Sequence, residues 1–181
     1  MSRGIPHRGT PAWPRSDHGD KLGAMLTAER MDALIRRYFD GCNDADVDGM
    51  IACFTPDAVH YFPPGMYGGA WRGARTIAEN WAHRVATLGS AWTIDRLLAD
   101  PASAQAVIEW SHFRTAEGTV LRGDEWYVFD EPSGLIAEIR AYYASPVDPA
   151  RSELALDGFD YAGRGYPLTC PVPRPHPSQA R

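Results

Sequence analysis

Residues 120–143, VLRGDEWYVFDEPSGLIAEIRAYY, constrain the fold most, because they have the pattern of a β-hairpin. Two runs rich in β-branched and aromatic residues flank a short Pro- and Gly-containing turn at 130–134. The first run carries Asp124 and Glu125 among aromatic side chains. A carboxylate is costly to bury in such a strand unless it is paired or protonated. The hairpin therefore predicts a sheet and, on that sheet, a functional carboxylate.

The rest of the chain predicts helices packed against this sheet. Helices are predicted at 27–42, 46–54 and 74–88, and strands at 58–62, 92–98, 105–114, 120–129 and 135–143. We expect Gly41 and Asn43-Asp44 to end the first helix, and residues 55–57, Thr-Pro-Asp, to form a turn. This α+β layout predicts a curved, mixed or antiparallel sheet wrapped on three helices, a cone with one open end that suits a small molecule.

Composition limits the domain organisation and the partners. A chain of 181 residues fits one domain, 25–146, with a disordered or surface-draped extension at 1–24 and a Pro/Gly-rich extension at 147–181. The net charge of −5 and the lack of a Lys/Arg run argue against nucleic-acid or membrane binding. The sequence has no run of about 18 apolar residues, so no membrane span is predicted. Three cysteines without metal spacing indicate no metal site and a reducing, cytoplasmic location. The three aromatic residues within 159–167 predict that this segment packs over the cone mouth or on a partner subunit.

Three stretches carry a family resemblance. They are IRRYFDGCNDADVDGMIACFTPDAVHYFPPG at 35–65, WRGARTIAENW at 71–81 and GLIAEIRAYY at 134–143. Together they resemble the nuclear transport factor 2-like superfamily, nearest to its SnoaL-like polyketide cyclases and ketosteroid isomerases, over roughly residues 26–145. The resemblance implies a cone-shaped α+β barrel, usually dimeric, with a deep apolar pocket and no cofactor.

Individual residues match the family patterns only in part. Tyr38 matches the tyrosine that donates to the oxyanion in ketosteroid isomerases. Glu125 falls where those enzymes keep a protonated aspartic acid, but the alignment needs a gap in the following turn, so Asp124 remains a competitor. The isomerase base falls on Phe62 and the cyclase aspartate on Ala141, so both family bases are missing. No branch of the superfamily fits in full.

His60 and Glu125 are the main candidates for replacing those bases. His60 and Phe62 share one face of their strand, and Glu125 shares a face with Tyr127 and Phe129. If these faces line the cone, apolar walls favour the uncharged forms of both groups. We then expect a neutral acid and a neutral base about one small ligand apart. The alternatives are a hydrogen-bonded core histidine and a carboxylate paired with an arginine at a dimer face.

Five further side chains have two possible surroundings or a surface position. His112 faces either side of its strand, because the following turn leaves the register open by one residue. Tyr38 lies on an apolar helix stripe and is either core or a hydrogen-bond donor. Trp81 and Trp110 fit the core or the wall of a pocket, whereas His83 falls off the apolar stripe and should be solvated.

The function predicted from these residues is a cofactor-independent acid/base enzyme of the isomerase, dehydratase or cyclase type, acting on a hydrophobic oxygenated molecule. An epoxide- or ester-type hydrolase and a non-catalytic binding module are the alternatives. A homodimer is predicted from the opposite sheet face, where Trp126, Val128, Arg140 and Tyr142 would form an exposed patch.

Overall fold

The computed structural model describes residues 26–62, 66–143, 161–163 and 165–172. Its elements in chain order are α1 (Ala28–Asp44), α2 (Val47–Ile51), β1 (Phe54–Tyr61), β2 (Trp71–Arg72), α3 (Ala74–Leu88), β3 (Ser90–Asp100), β4 (Gln105–Arg114), β5 (Thr119–Phe129) and β6 (Ile136–Tyr143). The predicted extension at 1–24 and much of that at 147–181 lie outside the described residues. No helix of the described part is long and apolar enough to cross a membrane.

All the longer strands belong to one curled sheet with the order β2-β1-β6-β5-β4-β3. Neighbouring strands are antiparallel except β1 and β6, which run parallel, so the sheet is mixed. Helices α1 and α3 pack on its inner face against β3 and β1. The predicted α+β architecture is therefore confirmed. The hairpin predicted at residues 120–143 is confirmed as well, because β5 and β6 pair as antiparallel neighbours.

Helix α1 runs past the predicted stop. It begins after Thr27, whose hydroxyl accepts from the Arg30 N–H at 3.3 Å, and it continues to Asp44. Gly41 is not a helix terminator, because it lies inside α1 where a Cβ would stand 2.9 Å from the Met50 side chain of α2. The Asn43 amide bonds both the N–H and the C=O of Trp92, which fixes α1 to β3. Gly41 and Asn43 thus serve helix packing instead of chain reversal.

The predicted turn at 55–57 is wrong, because these residues belong to β1. Pro56 lacks an N–H and cannot continue a regular ladder. The pairing of β1 with β6 is interrupted between Phe54 and Val59, so the proline falls in an irregular part of the strand. The strand therefore starts four residues before the predicted position, and Phe54 begins β1 instead of closing α2.

The outer face of the sheet carries four of the exposed large apolar side chains of the described residues: Tyr61, Leu98, Trp126 and Tyr142. Part of this face is covered by the C-terminal segment. The Arg122 guanidinium lies 4.2 Å from the Tyr161 ring centre and donates to the Pro167 carbonyl at 3.3 Å, and the Tyr166 hydroxyl bonds Glu109. The described part of the predicted 159–167 segment is therefore packed as expected, but on the outer face of its own sheet and not over the cone mouth.

Candidate functional site

The alternation of β5 decides between the two neighbouring acids. Glu125 and Tyr127 point to the inner face and are buried, whereas Asp124 points outward and is exposed. On the outer face, burial and then the neighbouring Glu109 raise the pKa of Asp124. Asp124 therefore does not belong to the inner site for which it was a candidate, while Glu125 lies where the sequence predicted it.

Glu125 is held by two inner-face side chains. The Tyr127 hydroxyl donates to Glu125 Oε2 at 2.5 Å, and His60 Nε2 lies 3.4 Å from Glu125 Oε1. Glu125 is 6% exposed and His60 is fully buried. The prediction of a ligand-sized separation between acid and base is therefore wrong. The side chains are in direct contact because β6, which separates β1 from β5, presents only Ile139 and Ala141 between them. The two groups therefore form one unit, not two separated groups.

Aromatic side chains enclose the imidazole. The His60 ring stacks on Phe62 with centroids 4.1 Å apart and lies 5.6 Å from Trp81. The shared face of His60 and Phe62 and the inward position of Trp81 are thus as predicted. Neither ring nitrogen of His60 has a hydrogen-bond partner among the described residues, and Nε2 makes only the 3.4 Å contact with Glu125 Oε1. With Nε2 directed at Glu125, Nδ1 is the atom of this ring that could exchange a proton with a bound molecule.

Tyr38 and Cys42 lie one turn apart on the buried side of α1. Burial raises the pKa of the Tyr38 hydroxyl well above its ordinary value, and the Cys42 thiol and the Glu125 carboxylate raise it further. Burial likewise raises the pKa of Cys42 well above its ordinary value. Both groups stay protonated near neutral pH, so Tyr38 can donate a hydrogen bond but cannot serve as an anionic base. The sequence placed Cys42 on the apolar stripe, where its thiol contacts Met50 of α2.

His112 faces inward but forms a separate cluster. Its Nε2 lies 2.9 Å from the Ser90 hydroxyl, and its ring stacks on Trp92 at 4.5 Å. Burial, with the positive charges of Arg114 and Arg84, lowers the pKa of His112 to about 3. The structure therefore decides which face of its strand His112 occupies, a point that the sequence left open. The imidazole ring remains neutral near neutral pH. Its described contacts fix β4 to β3 and do not reach Glu125.

Trp110 and Phe129, which were predicted to line the pocket, have different surroundings in the structure. Trp110 packs edge-on against Tyr143 at 4.9 Å, and its ring crosses Gly123, where a Cβ would meet it at 2.7 Å. The glycine of the Arg-Gly-Asp sequence at 122–124 is thus explained by the close approach of an indole ring. Phe129 is buried in the hydrophobic core of the molecule and has no described contact with His60 or Glu125.

A second polar group, which we call the arginine end, consists of Tyr67, Arg84, Arg114 and Tyr143. All four side chains are half-buried, in contrast to buried His60 and Glu125. The Tyr67 and Tyr143 hydroxyls lie 3.2 Å apart, and the Arg84 guanidinium lies 4.8 Å from the Tyr67 ring centre. Sequence analysis missed this group. One signal could have found it: Arg84 follows Trp81 by three residues and precedes Leu88 by four, so an arginine lies within the apolar stripe of α3.

Comparisons with known proteins agree with this architecture. The family model of the SnoaL-like domain matches residues 35–139. A protein of unknown function with a cystatin-like fold, from Methylobium petroleophilum PM1, is 58% identical over 81% of this chain and 97% of its own, with a TM-score of 0.67. No curated protein matches the chain.

Two solved structures at lower identity share the fold. The epoxide hydrolase/cyclase-like enzyme SalBIII, of pyran ring formation in the polyether salinomycin, is 18% identical over 64% of this chain and 91% of its own, with a TM-score of 0.53. A proposed ketosteroid isomerase from Kribbella flavida DSM 17836 is 19% identical over 83% of this chain and 98% of its own, with a TM-score of 0.56. Other solved neighbours are NTF2-like proteins. The resemblance noted in the sequence is confirmed.

Proposed function

Because the chain belongs to the SnoaL-like domain family, we propose that it is a cofactor-independent enzyme that moves protons within a hydrophobic, oxygenated small molecule. Isomerisation and cyclisation are the reaction types that this chemistry serves. The observation that carries the proposal is the buried unit of Tyr127, Glu125 and His60. The fold shared with a proposed ketosteroid isomerase and a cyclase-like enzyme is compatible with it but does not identify a substrate.

The unit has the parts of a histidine base oriented by a carboxylate. Glu125 Oε1 lies 3.4 Å from His60 Nε2 and would accept its proton, which leaves the lone pair on Nδ1 able to take a proton from a bound molecule. Tyr127 holds the other carboxylate oxygen at 2.5 Å and so fixes the orientation of Glu125. When His60 takes a proton, the adjacent carboxylate stabilises the imidazolium. Glu125 is thus a positioning residue, and His60 is the proposed catalytic base.

The proposed step is balanced without any added reagent. His60 Nδ1 removes a proton from the carbon next to a carbonyl, and the electron pair of that C–H bond moves onto the carbonyl oxygen. Tyr38, which burial keeps protonated, donates a hydrogen bond to the resulting enolate oxygen. The imidazolium then returns the proton to another carbon of the same molecule, which completes an isomerisation. Alternatively, the enolate carbon attacks a second carbonyl within the molecule, and the alkoxide formed there takes the proton from the imidazolium, which completes a cyclisation.

Proton exchange at carbon tests this proposal without knowledge of the natural substrate. We expect the protein to accelerate deuterium incorporation from ²H₂O into 2-tetralone, a bicyclic ketone with acidic α-hydrogens, measured by NMR. His60→Ala should lower the rate about 10²-fold or more. Glu125→Gln should lower kcat with little change in KM, because the carboxylate acts through the imidazole. His83→Ala, on the exposed side of α3, is the matched control and should retain the full rate.

Two outcomes would contradict the proposal. No acceleration by the wild-type protein over buffer, for this ketone and for a steroid ketone, would favour a non-catalytic binding module. Hydrolysis of an epoxide to a diol that carries ¹⁸O from labelled water, lost in His60→Ala, would instead favour the hydrolase alternative, since the same histidine and carboxylate could activate water.

A further inference from the structure

Arg84 is a half-buried cation without a carboxylate partner in the described part of the chain. The arginines that have partners there, such as Arg75 with Glu79 and Arg114 with Glu117, hold a carboxylate within 4 Å. Arg84 instead lies over the Tyr67 ring at 4.8 Å. A guanidinium in such a place retains donors for an anion, and its planar fork matches a carboxylate.

The neighbours of Arg84 at the arginine end are also hydrogen-bond donors. Burial raises the pKa of Tyr67, and raises that of Tyr143 well above its ordinary value, so both phenols keep their protons near neutral pH. Arg114 contributes a second positive charge, close enough to lower the pKa of Tyr67 and of His112. Buried Nδ1 of His112 and Nε of Arg114 have no hydrogen-bond partner among the described residues. Arg114 is paired with Glu117, so Arg84 is the cation of this group whose guanidinium favours a negatively charged ligand.

The arginine end and the proposed base belong to one continuous interior. Tyr67 lies 5.9 Å from Trp81, which lies 5.6 Å from His60, so an aromatic wall leads from one group to the other. Besides burial, the Glu125 charge raises the pKa of both Tyr67 and Tyr143. A carboxylate would be repelled at the Glu125 end and attracted at the arginine end. The electrostatics therefore orient an elongated, singly charged molecule.

We propose that the arginine end binds the carboxylate of an amphipathic organic acid, whose apolar body lies along Trp81 and whose uncharged end reaches His60. This proposal rests on the proposed function only in assigning the reacting end of the molecule. The binding of the carboxylate is independent of turnover. It defines the substrate class as an aromatic or polycyclic acid and makes Arg84 a specificity-determining residue.

Matched ligands test the carboxylate directly. Titration calorimetry should give a Kd for 2-naphthoate at least about tenfold lower than for 2-naphthamide, because the amide has nearly the same shape but no charge. Arg84→Met should abolish this preference by weakening naphthoate binding while naphthamide binding stays within about twofold, since methionine keeps much of the apolar stem. Arg75→Met, an exposed arginine of the same helix, is the control and should keep the preference.

Glu125→Gln separates the two proposals. If it lowers deuterium exchange but keeps the naphthoate preference, the carboxylate site stands whatever the reaction is. Equal affinities for the two ligands in the wild-type protein, binding of neither, or an undiminished preference in Arg84→Met would overturn the inference. Loss of proton exchange alone would not affect it.

Discussion

Tyr127→Phe removes one hydrogen bond from the proposed unit and leaves its packing unchanged. The hydroxyl is fully buried and donates to Glu125 Oε2 at 2.5 Å, and phenylalanine keeps the ring, so no cavity is created. Glu125 is 6% exposed, so water cannot readily replace the lost donor. A hydrogen bond to a charged group contributes about 1.5–3 kcal/mol. We therefore expect the free energy of unfolding to fall by about 1.5–3 kcal/mol for this single oxygen atom.

Urea denaturation at pH 7, followed by tryptophan fluorescence and circular dichroism, measures this change. Tyr142→Phe is the matched control, because Tyr142 is 54% exposed on the outer face and its hydroxyl can bond water. The control should change stability by less than about 0.5 kcal/mol. In Glu125→Gln the effect of Tyr127→Phe should shrink, since the acceptor is then neutral. Equal losses in Tyr127→Phe and Tyr142→Phe would refute the idea that Tyr127 supports a buried carboxylate.

Three further predictions concern separate parts of the fold. Gly123→Ala should destabilise the protein by about 1–3 kcal/mol in the same urea assay, because the new Cβ would stand 2.4 Å from the Tyr142 carbonyl oxygen and 2.7 Å from Trp110. His112 has a pKa of about 3 when folded against 6.5 ordinarily, so the unfolded chain binds the extra proton between these values. Stability should therefore fall as the pH drops from about 6.5, by up to about 1.4 kcal/mol per pH unit, and His112→Gln should flatten this slope between pH 7 and 5. We propose that the outer face pairs with a second copy of the chain, so Trp126→Glu should convert a dimer into a monomer in sedimentation; a wild-type monomer at micromolar concentration would contradict the pairing.

Much of the fold could be predicted because the sequence of β5 alternates strongly, which fixes its register against one buried face, whereas the facing of β4 stayed open at His112. The same alternation placed Glu125 beside Tyr127 and set Asp124 on the other side. The sequence was misleading where strand pairing in the folded protein overrides the local conformational preference of a residue. Pro56 is a turn residue by preference, yet it lies in an irregular part of β1 where its missing N–H costs no ladder bond.

The distances within the site could not be predicted, because they depend on which strands become neighbours. His60 and Glu125 lie 65 positions apart in the sequence, and their contact requires β1 and β5 to flank β6. That parallel placement of β1 has no local sequence signal. For the same reason, the periodicity of α3 could indicate that Arg84 is partly covered, but not that Tyr67 covers it.

The way Glu125 is compensated argues for a functional role. A buried carboxylate is ordinarily paired with an arginine or lysine, since its desolvation must be offset. Here the partners among the described residues are a phenol and an imidazole, while Arg84 lies against the Tyr67 ring. An arginine contact would hold the carboxylate more strongly, but it would also reduce the capacity of the acid to stabilise a proton on His60. The observed arrangement keeps the positive charges at the other end of the interior, where they can bind an anion without neutralising the carboxylate that supports the base.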